Sequence, residues 1–170
     1  MKLHNLAKMG IVALSIAAAS TAFASKGTSK DKAFNVKVKL LAPLEVTQTG
    51  EMDFGSFVAG EDTGAKLVSH TNGPKFHIKG AATYSVTVSL ADAATVMTTG
   101  NGSDDTKKIT ANGFEIWQTG GAQIGTNHAG GSIGLGTGEI DIEVGGTANL
   151  ESNDVAGDYL ATNTMRVIYD

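Results

Sequence analysis

Apolar residues occupy every second position in several short stretches of this chain, and a period of two is the mark of a β-strand with one buried face. The first such stretch is residues 34–40, where Phe34, Val36, Val38 and Leu40 alternate with Asn35, Lys37 and Lys39. Pro43 then marks a bend or an edge, because it cannot donate to a ladder. Leu44, Glu45, Val46 and Thr47 resume the extended pattern. Further strands are expected over residues 52–57, 65–69, 75–79, 83–90, 107–110, 114–118 and 139–144. Tyr84, Val86, Val88 and Leu90 keep step in one of them, and Ile140, Ile142 and Val144 in another. The glycine-rich stretches 100–103 and 120–138 read as loops, and residues 91–97 as the one place for a helical turn. Toward the end, Gly157, Tyr159, Ala161, Asn163, Met165, Val167 and Tyr169 share one face of what should be a long last strand. Many short alternating strands broken by turns predict an all-β fold, a two-sheet antiparallel β-sandwich.

The first residues follow a different pattern. Lys2 and Lys8 precede a nearly unbroken apolar run over residues 9–19, and Ala22, Phe23 and Ala24 have the small-x-small form of a cleavage site. Residues 1–24 are therefore expected to be a signal peptide, with 25–33 a flexible polar segment and 34–170 a single domain. The apolar run is too short to span a bilayer, which needs roughly 20 residues, so no transmembrane segment is expected in the mature chain. Export permits disulfides, yet the chain has no cysteine. Stability must then come from packing and ladder hydrogen bonds, or from a strand supplied by a neighbour. Removing Lys2 and Lys8 leaves 11 basic against 17 acidic residues, a formal charge of −6. That balance repels phosphate backbones and argues against nucleic acid.

Candidate chemistry is sparse. Gly130, Ser132 and Gly134 match G-x-S-x-G, but a nucleophile elbow needs a strand before the serine and a helix after it, and glycine-rich sequence flanks both sides. Gly134, Gly136 and Gly138 lack a following helix to receive a phosphate. His70, His77 and His128 have no metal-ligand spacing to one another, and His77 should face solvent between Phe76 and Ile78. Asp104 and Asp105 lack the spaced acids of a calcium loop. No catalytic group, metal or cofactor is expected, and the chain does not read as an enzyme. Trp117 should share the outer face of its strand with Glu115, which makes it the candidate ligand contact.

The two ends carry a resemblance. Tyr169 with Gly157 resembles the C-terminal signature of chaperone–usher pilins, with Met165 and Val167 as alternating apolar positions. Asn163 and Ala161 depart from that pattern. Residues 34–46 followed by Met52, Asp53, Phe54 and Gly55 are similar to the front of the same superfamily. Pro43, Leu44, Glu45, Val46, that motif and Gly60 look most like a secreted bacterial domain-of-unknown-function family allied to fimbrial adhesins. The missing cysteine pair places the chain nearer the branches without a disulfide. The resemblance implies an immunoglobulin-like antiparallel β-sandwich, pilin-like in lacking its final strand, and assembled by donor-strand exchange. Such a protein would be a structural subunit of a surface fimbria supporting adhesion or biofilm. Its partners would be identical or related subunits, a periplasmic chaperone and an outer-membrane usher, and it would pass through the periplasm to the cell surface. Phe34, Val36, Val38 and Leu40 would form the donor face, while Gly157, Tyr159, Met165, Val167 and Tyr169 would line the groove. Two alternatives stay open: residues 34–41 as the chain's own first strand, and a secreted monomeric β-sandwich that binds carbohydrate or another surface ligand through Trp117.

Overall fold

Alternation becomes strand only where a neighbour supplies the other half of the ladder. The computed structural model describes residues 30–170, so the expected signal peptide and the start of the polar segment lie outside the described residues. The chain divides into two units, Met1–Val38 and Lys39–Asp170. Residues 30–44 form no strand. Phe34, Val36, Val38 and Leu40 are 84, 83, 87 and 88% exposed. The most regular alternation in the sequence therefore forms no ladder among the described residues.

The strands of the second unit are β1 (Glu45–Thr49), β2 (Gly64–Val68), β3 (Lys75–Lys79), β4 (Ser85–Leu90), β5 (Thr95–Thr98), β6 (Lys108–Gln118), β7 (Gln123–Thr126), β8 (Gly131–Gly134), β9 (Glu139–Leu150) and β10 (Met165–Tyr169). All pair antiparallel in two sheets, and the fold is all-β as the alternation predicts. The larger sheet centres on β9 and β6. One edge of β9 carries β3 along its first half and β2 along its second, with β1 beyond β3. The far edge of β6 carries β5 and then β7. The smaller sheet has the order β10-β4-β8. Between the two lie Ile78, Val86, Val88, Ile116, Leu135 and Ile142, all essentially inaccessible to solvent.

Five further expectations about the elements need correction. Residues 52–57 are loop, with Met52 and Phe54 packed on the core without a ladder; Asp53 Oδ1 accepts the Gly55 N–H at 2.8 Å, and Gly55 turns at φ +95°. The two stretches read separately at 107–110 and 114–118 are one strand, β6. Gly113 at φ +59° gives it a bulge, where Gly113 and Phe114 together oppose the single residue Gly146. Residues 91–97 hold no helical turn; β5 lies there instead, a four-residue edge strand of whose apolar side chains Met97 is half-buried and packs on the core. The glycine-rich stretch 120–138 contains β7 and β8, because its glycines serve close strand contact. A Cβ on Gly125 would stand 2.3 Å from the Ala129 carbonyl, and one on Gly130 only 1.7 Å from that of Val88. Finally, the last strand starts at Met165, not Gly157. Leu160 bridges Thr98 of the larger sheet, and the chain then crosses to the smaller one. The Asn163 side chain takes over the ladder bonding at the crossing, with its amide donating to Asp92 O and its carbonyl accepting the Asp92 and Thr164 N–H groups.

Candidate functional site

The two sheets approach strand to strand on one side. There β7 approaches β8 at the glycine corner, where a Cβ on Gly131 would lie 2.3 Å from the Ile124 carbonyl. On the opposite side β1 ends the larger sheet and β10 ends the smaller one, and neither has a strand beyond it among the described residues. Both are thus edges with unpaired backbone groups.

The side chains along that opening point inward and are incompletely covered. Val46 opposes Ile78 across the ladder and so shares its inward face, yet Ile78 is 0% and Val46 44% exposed. Phe76, one pair along, is half-buried. Across the gap, Met165, Val167 and Tyr169 oppose Leu90, Val88 and Val86 and are also half-buried, against three fully buried partners. A cavity of about 310 Å³ lies here, with Phe76, Leu90, Met97, Phe114 and Met165 in its walls. It shares Glu51, Met52, Phe54, Met97, Tyr159 and Leu160 with a second cavity of about 730 Å³, which continues over Ile109, Ala148 and Leu150. The result is an apolar groove running along the inner face of the larger sheet. The core is unfinished along this line.

The two ends of the groove differ. At one end Tyr169 Oη accepts the Ala81 N–H at 2.6 Å and donates to the Ala42 carbonyl at 2.8 Å. Its ring meets Tyr84 edge-on at 6.2 Å, and the Lys39 ammonium stands 4.6 Å from the Tyr84 ring centre. Gly80 makes room for this latch, since a Cβ there would come within 2.5 Å of the Tyr169 oxygen. Gly80 also donates its N–H to Gly138 O, just before β9. The opposite end lies past the other terminus of β9, where Glu51, Asp53, Asp62, Glu151, Asp154 and Asp158 line the second cavity with no basic residue among its walls. Twelve residues of β9 separate the two ends by about 36 Å at about 3.3 Å per residue.

Of the residues expected to line a groove, Met165, Val167 and Tyr169 stand together on β10. Tyr159 lies in a loop at the junction of the two cavities, and its hydroxyl donates to the Val155 and Thr106 carbonyls at 2.8 and 3.0 Å. Burial pushes its phenol above the ordinary range, with the negative charge of Asp154 adding to the effect. Gly157 is in a bend that packs on Thr99, where a Cβ would meet Oγ1 at 2.2 Å. Sequence reasoning missed Val46, Phe76 and the Ala42–Tyr169 contact. Val46 sat in an alternating stretch, but nothing in the pattern says that its strand ends a sheet.

The polar groups singled out earlier lie elsewhere. On the outer face of the larger sheet, Glu143 is only 4% exposed. Lys75 Nζ stands 2.9 Å and His70 Nδ1 3.0 Å from its oxygens, and these partners, Lys75 first, hold its carboxyl below the ordinary range. His70 stacks on Trp117 at 4.5 Å, and Trp117 Nε1 donates to Glu115 Oε2 at 3.1 Å. Trp117 does share a face with Glu115, but this chain's own imidazole covers one side of its ring. His77, on the same outer face, has its Nδ1 2.6 Å from Asp141. Asp104 accepts from the Thr106 hydroxyl and pairs with Lys107, in that order the causes that lower its pKa. Ser132 lies in β8 and donates to the Asp170 carboxylate, which also accepts from Thr87 at 2.6 Å. The two hydroxyls, Ser132 first, lower the Asp170 pKa. No helix among the described residues is long and apolar enough to cross a membrane.

A family described as Domain of unknown function (DUF4402) matches residues 64–169, which is β2 through β10. The chain belongs to that family. No curated protein matches it. The DUF4402 span takes in β10, Phe76, Gly157 and Tyr159, whereas β1 and residues 30–44 precede it.

Proposed function

We propose that this DUF4402 protein is a structural subunit of a bacterial surface fimbria that polymerises by strand addition. In that assembly residues 34–40 of one molecule fill the groove between β1 and β10 of the next. One observation carries the reading: the chain bears an apolar face at period two that is more than four-fifths exposed at all four positions, together with an inward-facing apolar groove left half-open between two edge strands. Each feature alone is a liability in water. Together they are complementary. An added strand satisfies the edges through backbone hydrogen bonds, while its alternate side chains fill the floor. Burying four such side chains contributes about 1.5–3 kcal/mol each before ordering costs.

Placement supports an open chain of subunits. The root of the donor segment, Lys39 to Ala42, is held at the Tyr169 end, and the acidic mouth lies at the other end of β9. A donor leaving one end and an acceptor opening at the other make a head-to-tail contact that does not close on itself, so repetition gives a filament. On this reading a periplasmic chaperone occupies the groove before an usher passes the subunit outward, and the assembled product sits at the cell surface.

The test is Val36→Asp in the full chain. Val36 is 83% exposed, so the fold should survive, with unchanged circular dichroism. Sedimentation velocity and electron microscopy should find polymers for the wild type and monomers for the variant. Equal assembly of the two would exclude residues 34–40 as donor, and a wild-type chain that stays monomeric at every concentration would sink the proposal.

A further inference from the structure

Charge is divided unevenly between the two features that the proposed assembly brings together. Residues 30–40 contain Lys30, Lys32, Lys37 and Lys39 against the single acid Asp31. Residues 41–170 contain 6 basic and 16 acidic residues. The groove concentrates that imbalance, since its wider part has six carboxylates in its walls and no lysine or arginine. Asp62 is already paired with Lys66 at 3.8 Å, and Asp154 accepts the Glu151 N–H at 2.7 Å. Glu51, Glu151 and Asp158 are exposed and join no ion pair among the described residues.

Resting on the strand-addition reading, we propose that the occupant of the groove is residues 30–40 of a second copy of this same chain, selected over other strands by its lysines. An extended segment alternates its side chains. When Phe34, Val36, Val38 and Leu40 face the floor, Lys37 and Lys39 stand on the outer face of the added strand, from which their long side chains reach for the carboxylates at the rim, with Lys30 and Lys32 farther along the same segment. Residues 30–40 extend over about 33 Å at about 3.3 Å per residue, within the roughly 36 Å available along β9. Apolar burial supplies most of the affinity and is indifferent to which apolar strand enters. The carboxylates supply the preference and accelerate the encounter.

The experiment uses the full-length Val36→Asp chain as acceptor, because it cannot donate effectively to itself, and a fluorescent peptide of residues 30–42 as probe. Binding is read by anisotropy. Between 0.05 and 0.5 M salt the affinity should fall about tenfold, as the screening length shrinks from well above to about contact distance. Adding Glu51→Gln, Glu151→Gln and Asp158→Asn to the acceptor should cost about tenfold at low salt and flatten the salt dependence. A peptide with its lysines changed to glutamine should bind both acceptors equally, since coupling between the two sets of charges is then gone. Peptide binding without any dependence on salt or on those carboxylates would overturn the charge selection while leaving strand addition intact. Failure of the peptide to bind, in a chain whose wild type still assembles, would overturn the second-copy assignment, since another segment then fills the groove. A wild type that never assembles removes this inference together with the reading beneath it.

Discussion

At the scale of single residues, the least expected feature is a carboxylate buried on the outer face of a sheet. Glu143 stands between Ile142 and Val144 on β9, and alternation sends it away from the core. The 3₁₀ turn at His70–Asn72 covers it there, packed so closely that a Cβ on Gly145 would lie 2.7 Å from the His70 nitrogen. A charge removed from water must be paired, and Lys75 and His70 do this. Replacing Glu143 with Gln keeps the shape but weakens two charge-assisted hydrogen bonds, and should cost about 2 kcal/mol in urea unfolding at pH 7. The sign with pH follows from the depressed carboxyl. Its contribution is fully present above the ordinary glutamate value of 4.5 and is lost as pH falls through the lower folded-state value. Wild type and Glu143→Gln should therefore differ at pH 7 and converge toward pH 3, measured by the same urea midpoints. A difference that persists undiminished in acid would assign the effect to packing instead of charge.

At the scale of elements, β10 is a five-residue edge strand whose place depends on one hydroxyl at its end. Tyr169 Oη joins Ala81, beyond β3, to Ala42, before β1, so it ties together the two sheets and the root of the N-terminal segment. Tyr169→Phe keeps the ring against Tyr84 and removes both bonds. It should cost about 1–3 kcal/mol, because the Ala81 N–H is left without its acceptor. It should also raise amide hydrogen exchange in β10 and around residue 81 well above that in β9. Uniform loss of protection across both sheets would argue against a local latch.

The elements also set how far the sequence could be read. Where both faces of an element obey one rule, as at Val86, Val88 and Leu90 or at Ile140, Ile142 and Val144, period two located the strand and its buried side. It failed where backbone geometry did the organising. Gly113 joins two apparent strands through a bulge, Gly125 and Gly130 let strands approach where glycine suggested loop, and the Asn163 amide substitutes for a ladder. The groove was half-legible. Met165, Val167 and Tyr169 stood out as a face, but Val46 and Phe76 became groove residues only through the pairing order, which places β1 at the edge, and single-chain periodicity carries no information about edges.

At the scale of the whole molecule, a chain whose core is open along one line should gain stability when that line is filled. A second copy of residues 30–42 joined after Asp170 by a flexible linker of about eight Gly and Ser residues would reach about 16 Å, enough to turn back beside β10. Combined with Val36→Asp in the original segment, it converts an intermolecular strand into an intramolecular one. The gain is the burial of Phe, Val, Val and Leu plus about six new ladder hydrogen bonds less the ordering of the strand, a net of about 2–3 kcal/mol. For a domain of this size that raises the melting temperature by about 5–10 °C. Polymers should vanish in the same variant, because its acceptor is occupied and its original donor carries a charge. The two readouts must move together. A higher melting temperature with assembly unchanged would mean that the appended strand lies elsewhere, and monomers without added stability would mean that the groove between β1 and β10 does not take a strand at all.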